Sequence, residues 1–178
     1  MYDGYYMDGK RHGVGKYTYA NNDQYEGDWV DNNKDGIGKF IYNEHGEYFG
    51  RFENGKRHGE GVFKYKKTGD IYSGSWKHGK KHGKGTYIFN DTKMKIVGEW
   101  EKGEVISGRW IFPNGTYFEG RFEKNKPVGE GIWHFANGNI VKGNFKQSIL
   151  EDAEGNPMTK IKWSTEPEVC DPTRYIEI

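Results

Sequence analysis

The chain has 178 residues, a formal net charge of +1, a single cysteine and 27 glycines. The balanced charge disfavours strong nucleic-acid binding, which needs a basic excess, and one cysteine excludes an intrachain disulfide framework. Aromatic residues make up 16% of the chain, whereas leucine occurs once, so an aromatic core has to replace the usual aliphatic one.

Seven glycines recur about every 23 residues, and a fixed period of this size indicates a repeat array. Aromatic or β-branched residues stand two positions before and two positions after most of these glycines, and this alternation predicts a β-strand. The marker glycines are Gly4, Gly27, Gly50, Gly74, Gly98, Gly120 and Gly143.

A second strand is predicted in each unit, after a turn such as residues 54–59 and with paired aromatics such as Phe63 and Tyr65. We therefore predict an all-β fold for residues 1–145, an elongated twisted solenoid or ribbon of about seven antiparallel β-hairpins. At ~4.8 Å per strand the ribbon would be roughly 65–70 Å long. The units begin near residues 2, 25, 48, 72, 96, 118 and 141.

Residues 146–178 form a tail of different character, with Pro157, Pro167 and Pro172 and few apolar residues. The seventh unit has no recognisable second half. Residues 158–163 alternate in polarity and predict a capping strand, with an extended segment after it. Two interpretations of the tail stay open: a disordered end, or a docking arm that becomes ordered when a partner binds.

The fourth unit carries a family resemblance. Its Tyr72-x-Gly74-x-Trp76 strand, followed by a Gly-Lys-x-His-Gly-x-Gly turn at residues 79–85, resembles the MORN repeat. The resemblance covers about residues 2–145 and implies a non-enzymatic scaffold that docks other protein subunits. Candidate partners include a second MORN protein or a second copy of the chain.

A narrower resemblance rests on two features: nearly the whole chain is repeats, and residues 126–131 read Lys-Pro-Val-Gly-Glu-Gly. On these grounds the chain most resembles the MORN-repeat subunits of the ciliary radial spoke head. That resemblance implies an intracellular protein of the axoneme of a cilium or flagellum, and the sequence also begins without a signal peptide.

Both ends of the array are predicted to bind partners. A first hairpin with no capping segment before it leaves a free strand edge, and such edges accept further chains. The candidate contact residues are Tyr2, Tyr6, Lys10 and Arg11 at the first hairpin, and Ile161, Trp163 and Tyr175 in the tail.

Basic pairs at equivalent turns support an alternative, a membrane-associated adaptor that binds acidic phospholipids. Its candidate lipid-facing residues are Lys56, Arg57, Lys80 and Lys81. The competing explanation is a solubilising edge that prevents strand-to-strand aggregation.

No catalytic, cofactor or metal site is predicted. Two Gly-x-x-x-x-Gly-Lys stretches imitate a phosphate loop, but Arg57 and Lys81 follow them where a Ser or Thr is required. The equivalent His58 and His82 would lie roughly 10 Å apart in adjacent units, too far to share one zinc ion.

Overall fold

The computed structural model describes residues 1–152 and 154–165. Within these ranges the chain forms one antiparallel sheet of 14 strands and no helix. Neighbours in the sheet are neighbours in the chain, so each hairpin pairs with the hairpin before it and the hairpin after it. At ~4.8 Å per strand the sheet extends about 62 Å. The predicted all-β ribbon of antiparallel hairpins is confirmed.

The strands form seven hairpins. They are β1 (Tyr2–Met7) and β2 (Lys10–Thr18), β3 (Gln24–Val30) and β4 (Asn33–Tyr42), β5 (Gly46–Glu53) and β6 (Lys56–Tyr65), β7 (Ile71–Lys77) and β8 (Lys80–Ile88), β9 (Lys95–Glu101) and β10 (Glu104–Ile111), β11 (Tyr117–Glu123) and β12 (Lys126–His134), and β13 (Ile140–Glu151) and β14 (Pro157–Thr165).

The seventh hairpin takes its second strand from the tail, because β14 pairs with β13 from Gly143–Thr165 to Glu151–Pro157. The sheet therefore continues past residue 145, which lies inside β13, and residues 158–163 lie inside β14. The repeat motif is absent from β14, but its Trp163 ring packs 4.8 Å from the ring of Phe145. This aromatic contact continues the core into a strand that has no repeat glycine.

A row of glycines crosses the sheet, one from each strand from β1 to β13, each directly opposite the next. The ring of Tyr48 covers two of them, Gly50 and Gly61, and its hydroxyl donates a hydrogen bond to the carbonyl of Arg51 (2.9 Å). A Cβ at Gly61 would lie 2.5 Å from the ring atoms Cε2 and Cζ of Tyr48. Glycine is needed here because the ring occupies the space of a side chain.

The core is a chain of aromatic rings on one face of the sheet. Tyr48 makes edge-to-face contacts with Phe52 in its own hairpin (5.1 Å between centroids) and with Trp76 in the next hairpin (5.3 Å). The indole of Trp76 also donates to the carbonyl of Gly61 (3.1 Å). Tyr25 makes an equivalent contact with Trp29, and Tyr72 makes one with Trp100. All these rings are at least 96% buried, although the sheet has no second layer.

Candidate functional site

Basic side chains cover the aromatic face over the first four hairpins. We call Arg11, Lys34, Arg57 and Lys81 the cation row. The guanidinium of Arg57 lies 4.3 Å from the ring centroid of Trp76, and the ammonium of Lys81 lies 4.3 Å from that of Trp100. Arg11 lies over Trp29 at 4.4 Å, and Lys34 over Phe40 at 4.4 Å. These distances lie within the ~6 Å range of a cation–π interaction.

The fold produces this row through a repeated irregularity. In hairpins 1–4, as also in hairpin 6, the strand register shifts directly after the paired glycines, so that Phe52 lies opposite Arg57 and Trp76 lies opposite Lys81. The next hairpin then fixes the backbone of each cation. The amide of Gly79 donates to the carbonyl of Arg57 (2.9 Å), and the amide of Gly103 donates to the carbonyl of Lys81 (3.0 Å).

The row ends after the fourth hairpin. Val105 lies opposite Trp100, and Pro127 lies opposite Phe122, in the positions that Lys81 and Arg57 hold in their own hairpins. Val105 and Pro127 are both buried. The aromatic face therefore has a cationic half over hairpins 1–4 and an apolar half over hairpins 5–7.

A groove of about 640 Å³ lies on the cationic half. Its aromatic lining includes Tyr42, Tyr65 and Tyr87, one from each of three successive hairpins. Its charged lining is mostly basic and consists of Arg57, Lys67, Lys80, Lys81 and Lys102 with Glu44 and Asp70. The combination of ring edges and excess positive charge suits an extended ligand that carries both carboxylates and apolar groups.

Burial tunes the charge of the groove. Burial, together with the smaller effect of the nearby Arg57 guanidinium, lowers the pKa of Lys81 to about 8. Burial also lowers the pKa of Lys34 to about 8, although the Asp23 carboxylate opposes the shift. The lysines of the row therefore lose their charge above pH 8, whereas the arginines keep theirs.

Of the two acids that line the groove, Asp70 is buried, with 7% of its surface exposed. Burial raises the pKa of Asp70, but hydrogen bonds from the Asn90 amide (2.8 Å) and the Tyr87 hydroxyl (2.7 Å) outweigh it, so the pKa lies below the ordinary value. Burial, together with the bond to Asp70, raises the pKa of Tyr87. Asp70 therefore ties the wall of the fourth hairpin to the loop before it.

The four lipid-facing candidates lie in two different places. Lys56 and Lys80 are exposed at the turns, whereas Arg57 and Lys81 are half-buried and pack on the rings. The basic residues at the equivalent turns, Lys34 included, are predicted from the sequence to project outward from one edge of the sheet, whereas the side chains of Lys34, Arg57 and Lys81 lie over the rings. The two-residue alternation of a strand indicates the correct face for Arg57. Arg57 lies an even number of residues from the core aromatics of β6, so its side chain is on the same face of the sheet.

The partner candidates at the ends are also distributed unevenly. Tyr6 and Lys10 are exposed, while Tyr2 is half-buried with its ring 5.0 Å from that of Tyr6. Arg11 belongs to the cation row. Ile161 and Trp163 are half-buried on β14, where both pack against the core. Tyr175 lies outside the described residues.

Over residues 1–152 and 154–165, no three His, Cys, Asp or Glu side chains converge as metal ligands would. In the same ranges, no helix has the length and apolarity needed to cross a membrane.

Comparison with protein families agrees with the geometry. The family model of the MORN repeat matches residues 2–24, 25–46, 48–68, 72–93 and 118–140, more than half of the chain. The chain belongs to the MORN-repeat family. The matched spans correspond to hairpins 1–4 and 6, and MORN repeats are structural repeats that bind proteins or lipids. No match was found among curated proteins.

Proposed function

We propose that this MORN-repeat chain is a non-enzymatic scaffold that holds segments of partner proteins in the groove over hairpins 2–5. The observation that carries the proposal is the cation row on the aromatic core. It places hydrogen-bond donors with positive charge directly above large apolar rings, the two components of a protein-docking surface.

Arg57 shows how a side chain of the cation row can cover the aromatic rings and also bind a ligand. Among the described residues, its side chain donates one hydrogen bond, to the carbonyl of Gly79 (2.7 Å). A guanidinium has five N–H donors, so most of the donors of Arg57 remain available to a carboxylate that enters the groove. A two-pronged pair between arginine and carboxylate is also specific in geometry.

Charge reversal tests the docking function, and lysines outside the groove provide a matched control. Arg57→Glu with Lys81→Glu should abolish capture of partner proteins on the immobilised chain. Lys10→Glu with Lys56→Glu changes the net charge equally, but both residues lie at exposed turns and neither lines the groove, so this pair should leave capture unchanged. Equal loss with both pairs would mean that net charge, not the groove, governs binding.

We further propose that the partners are radial spoke head proteins in the axoneme of a cilium or flagellum. The Lys-Pro-Val-Gly-Glu-Gly segment at residues 126–131 and the near-complete coverage of the chain by repeats support this assignment. A sheet about 62 Å long also suits a part that spaces subunits.

A tagged chain expressed in ciliated cells tests this location. The tag should decorate the axoneme and leave it together with spoke proteins during salt extraction. A tag that fills the cytosol or the plasma membrane and is missing from cilia would refute the spoke assignment.

Acidic phospholipid is the second candidate ligand. One observation favours it: Lys10, Lys56 and Lys80 are exposed at equivalent turns of hairpins 1, 3 and 4. Sedimentation with vesicles rich in phosphatidylserine should then be lost in Lys10→Glu with Lys56→Glu and persist in Arg57→Glu with Lys81→Glu. The two charge-reversal pairs therefore separate a lipid-binding edge from a protein-binding groove.

A further inference from the structure

We infer that the groove over hairpins 2–5 receives residues 166–178 of a second copy of the chain. This inference rests on the proposed docking function of the groove and names one partner for it.

The chemistry of residues 166–178 complements that of the groove. The segment has four acids and one base, so it is strongly acidic within a nearly neutral chain. The groove has five basic side chains and two acids. The acids of the segment are Glu166, Glu168, Asp171 and Glu177, its base is Arg174, and its larger apolar residues are Val169, Tyr175, Ile176 and Ile178.

The spacing of the acids matches the spacing of the cations. Successive members of the cation row are two strands apart, about 9.6 Å along the sheet. Pro167 and Pro172 favour a polyproline II conformation, in which every third residue returns to one face after about 9.3 Å. Glu168 and Asp171 are three residues apart and can therefore pair with Arg57 and Lys81.

The base of the segment sets its direction. Arg174 is three residues beyond Asp171 and would face the hairpin next to Lys81. If Asp171 pairs with Lys81, that hairpin is the fifth, where two exposed acids, Glu101 and Glu104, flank one base, Lys102, at the turn. The opposite direction would bring Arg174 to Lys34, a repulsive contact. The segment therefore runs from hairpin 3 to hairpin 5.

Reach excludes the segment of the same chain. The Glu168–Arg57 pair decides this. Arg57 is on β6, eight strands from β14, or about 38 Å away across the sheet. Glu168 is only three residues from Thr165, a span of at most about 11 Å when fully extended, and the two side chains cannot close the remaining gap. The segment in the groove must therefore come from another copy.

Reciprocal exchange gives a closed assembly. If each of two copies lends its segment to the groove of the other, the interface repeats itself about a two-fold axis and both grooves are filled. The second contact then forms within the complex, which raises the overall affinity well above that of one segment.

Cys170 provides a probe, because it is the single cysteine of the chain and stands between Glu168 and Asp171. The full chain is labelled at Cys170 with benzophenone maleimide, mixed with an equal amount of unlabelled ¹⁵N-chain, and irradiated. Mass spectrometry then identifies the joined residues. We expect cross-links from Cys170 of the light chain to groove residues of the heavy chain, centred on Tyr65 and Tyr87.

Charge variants test the pairing. Glu168→Lys with Asp171→Lys should reduce the inter-copy cross-link at least fivefold and should convert a dimer to a monomer in sedimentation velocity at about 10 µM. These changes lie outside the described sheet. Arg57→Glu with Lys81→Glu should have the same effect, and combining the two pairs in one chain should restore the cross-link. Lys10→Glu with Lys56→Glu, at exposed turns outside the groove, is the matched control and should keep the cross-link.

Several outcomes would overturn the inference. They are cross-links confined to one copy, cross-links only to β13 and β14, or a monomer whose cross-links are unchanged by every variant. If the groove still captures spoke proteins while these results appear, the docking function stands and the second-copy assignment fails. If Arg57→Glu with Lys81→Glu affects neither capture nor cross-linking, both fail.

Discussion

Replacing Gly61 by alanine tests whether the glycine row exists to make room for the tyrosine rings. Gly61 lies outside the left-handed region, so alanine fits its backbone. The new Cβ would nevertheless lie 2.5 Å from Cε2 and Cζ of Tyr48. The fully buried ring must then move, which weakens its edge contacts with Phe52 and Trp76 and its hydrogen bond to Arg51.

The expected loss of stability follows from these contacts. Overpacking a core costs about 1–3 kcal/mol, a buried hydrogen bond contributes about 1 kcal/mol, and an aromatic pair contributes about 0.5–1.5 kcal/mol. Alanine recovers about 0.5 kcal/mol through its lower chain entropy in a strand. Gly61→Ala should therefore lower the free energy of unfolding by about 3 kcal/mol.

Urea unfolding followed by circular dichroism measures the loss. Gly55→Ala is the control: Gly55 has φ of +78° but no atom within 4 Å of an added Cβ, so only backbone strain of about 1–2 kcal/mol applies. In a Tyr48→Ala background the Gly61→Ala change should cost less than about 0.5 kcal/mol, because no ring remains to be displaced. An unchanged cost in that background would refute the explanation.

Three other predictions concern ionisable groups. The pKa of Lys34 and Lys81 is about 8 in the folded state, whereas the ordinary pKa of a lysine is 10.5. Between these two pH values the unfolded chain binds more protons than the folded chain, so the free energy of unfolding should rise with pH. Above pH 10 the raised pKa of the buried tyrosines reverses the trend, and urea midpoints from pH 7 to 11 should show a maximum. Lys81→Met should remove about half of the rise, whereas Lys80→Met should not change it. Asp70→Ala should lower the free energy of unfolding by about 1–3 kcal/mol by leaving the Tyr87 hydroxyl and the Asn90 amide without their acceptor, and urea denaturation at pH 7 would detect it; an unchanged midpoint would contradict this role.

The sequence predicted the hairpin repeat because two periods agree in it. The glycine period placed the units, and the alternation of aromatics with glycine placed the strands and their buried face. Each Tyr-x-Gly-x-Trp strand contacts its neighbours in the same way, so the structure predicted for one unit applies to the others. The repeat motif does not extend to β14, where only alternating polarity at residues 158–163 predicted a strand. Pairing with β13 and the contact of Trp163 with Phe145 hold its nine residues in the sheet.

The candidate site was harder to predict because charge is a poor guide to direction. Basic residues at turns usually point to solvent, and Lys56 and Lys80 do. Arg57 and Lys81 are each one position later, and the register shift after the paired glycines turns them over the rings of the next hairpin. Alternation alone suggests their side of the sheet, but the ring that each covers depends on how hairpins stack, which one unit of sequence does not contain.

The cation row also bears on how a single-layer sheet keeps an aromatic core. Apolar side chains cover the rings at this position in the later hairpins, as Val105 and Pro127 do. In hairpins 1–4 the basic side chains place their charged heads on the ring faces instead, 4.3–4.4 Å from the centroids. Under the proposed docking function, a partner carboxylate would bind these heads and the docked segment would form a second layer over the rings. The same docking would not occur over hairpins 5–7, because Val105 and Pro127 offer no charge to a carboxylate.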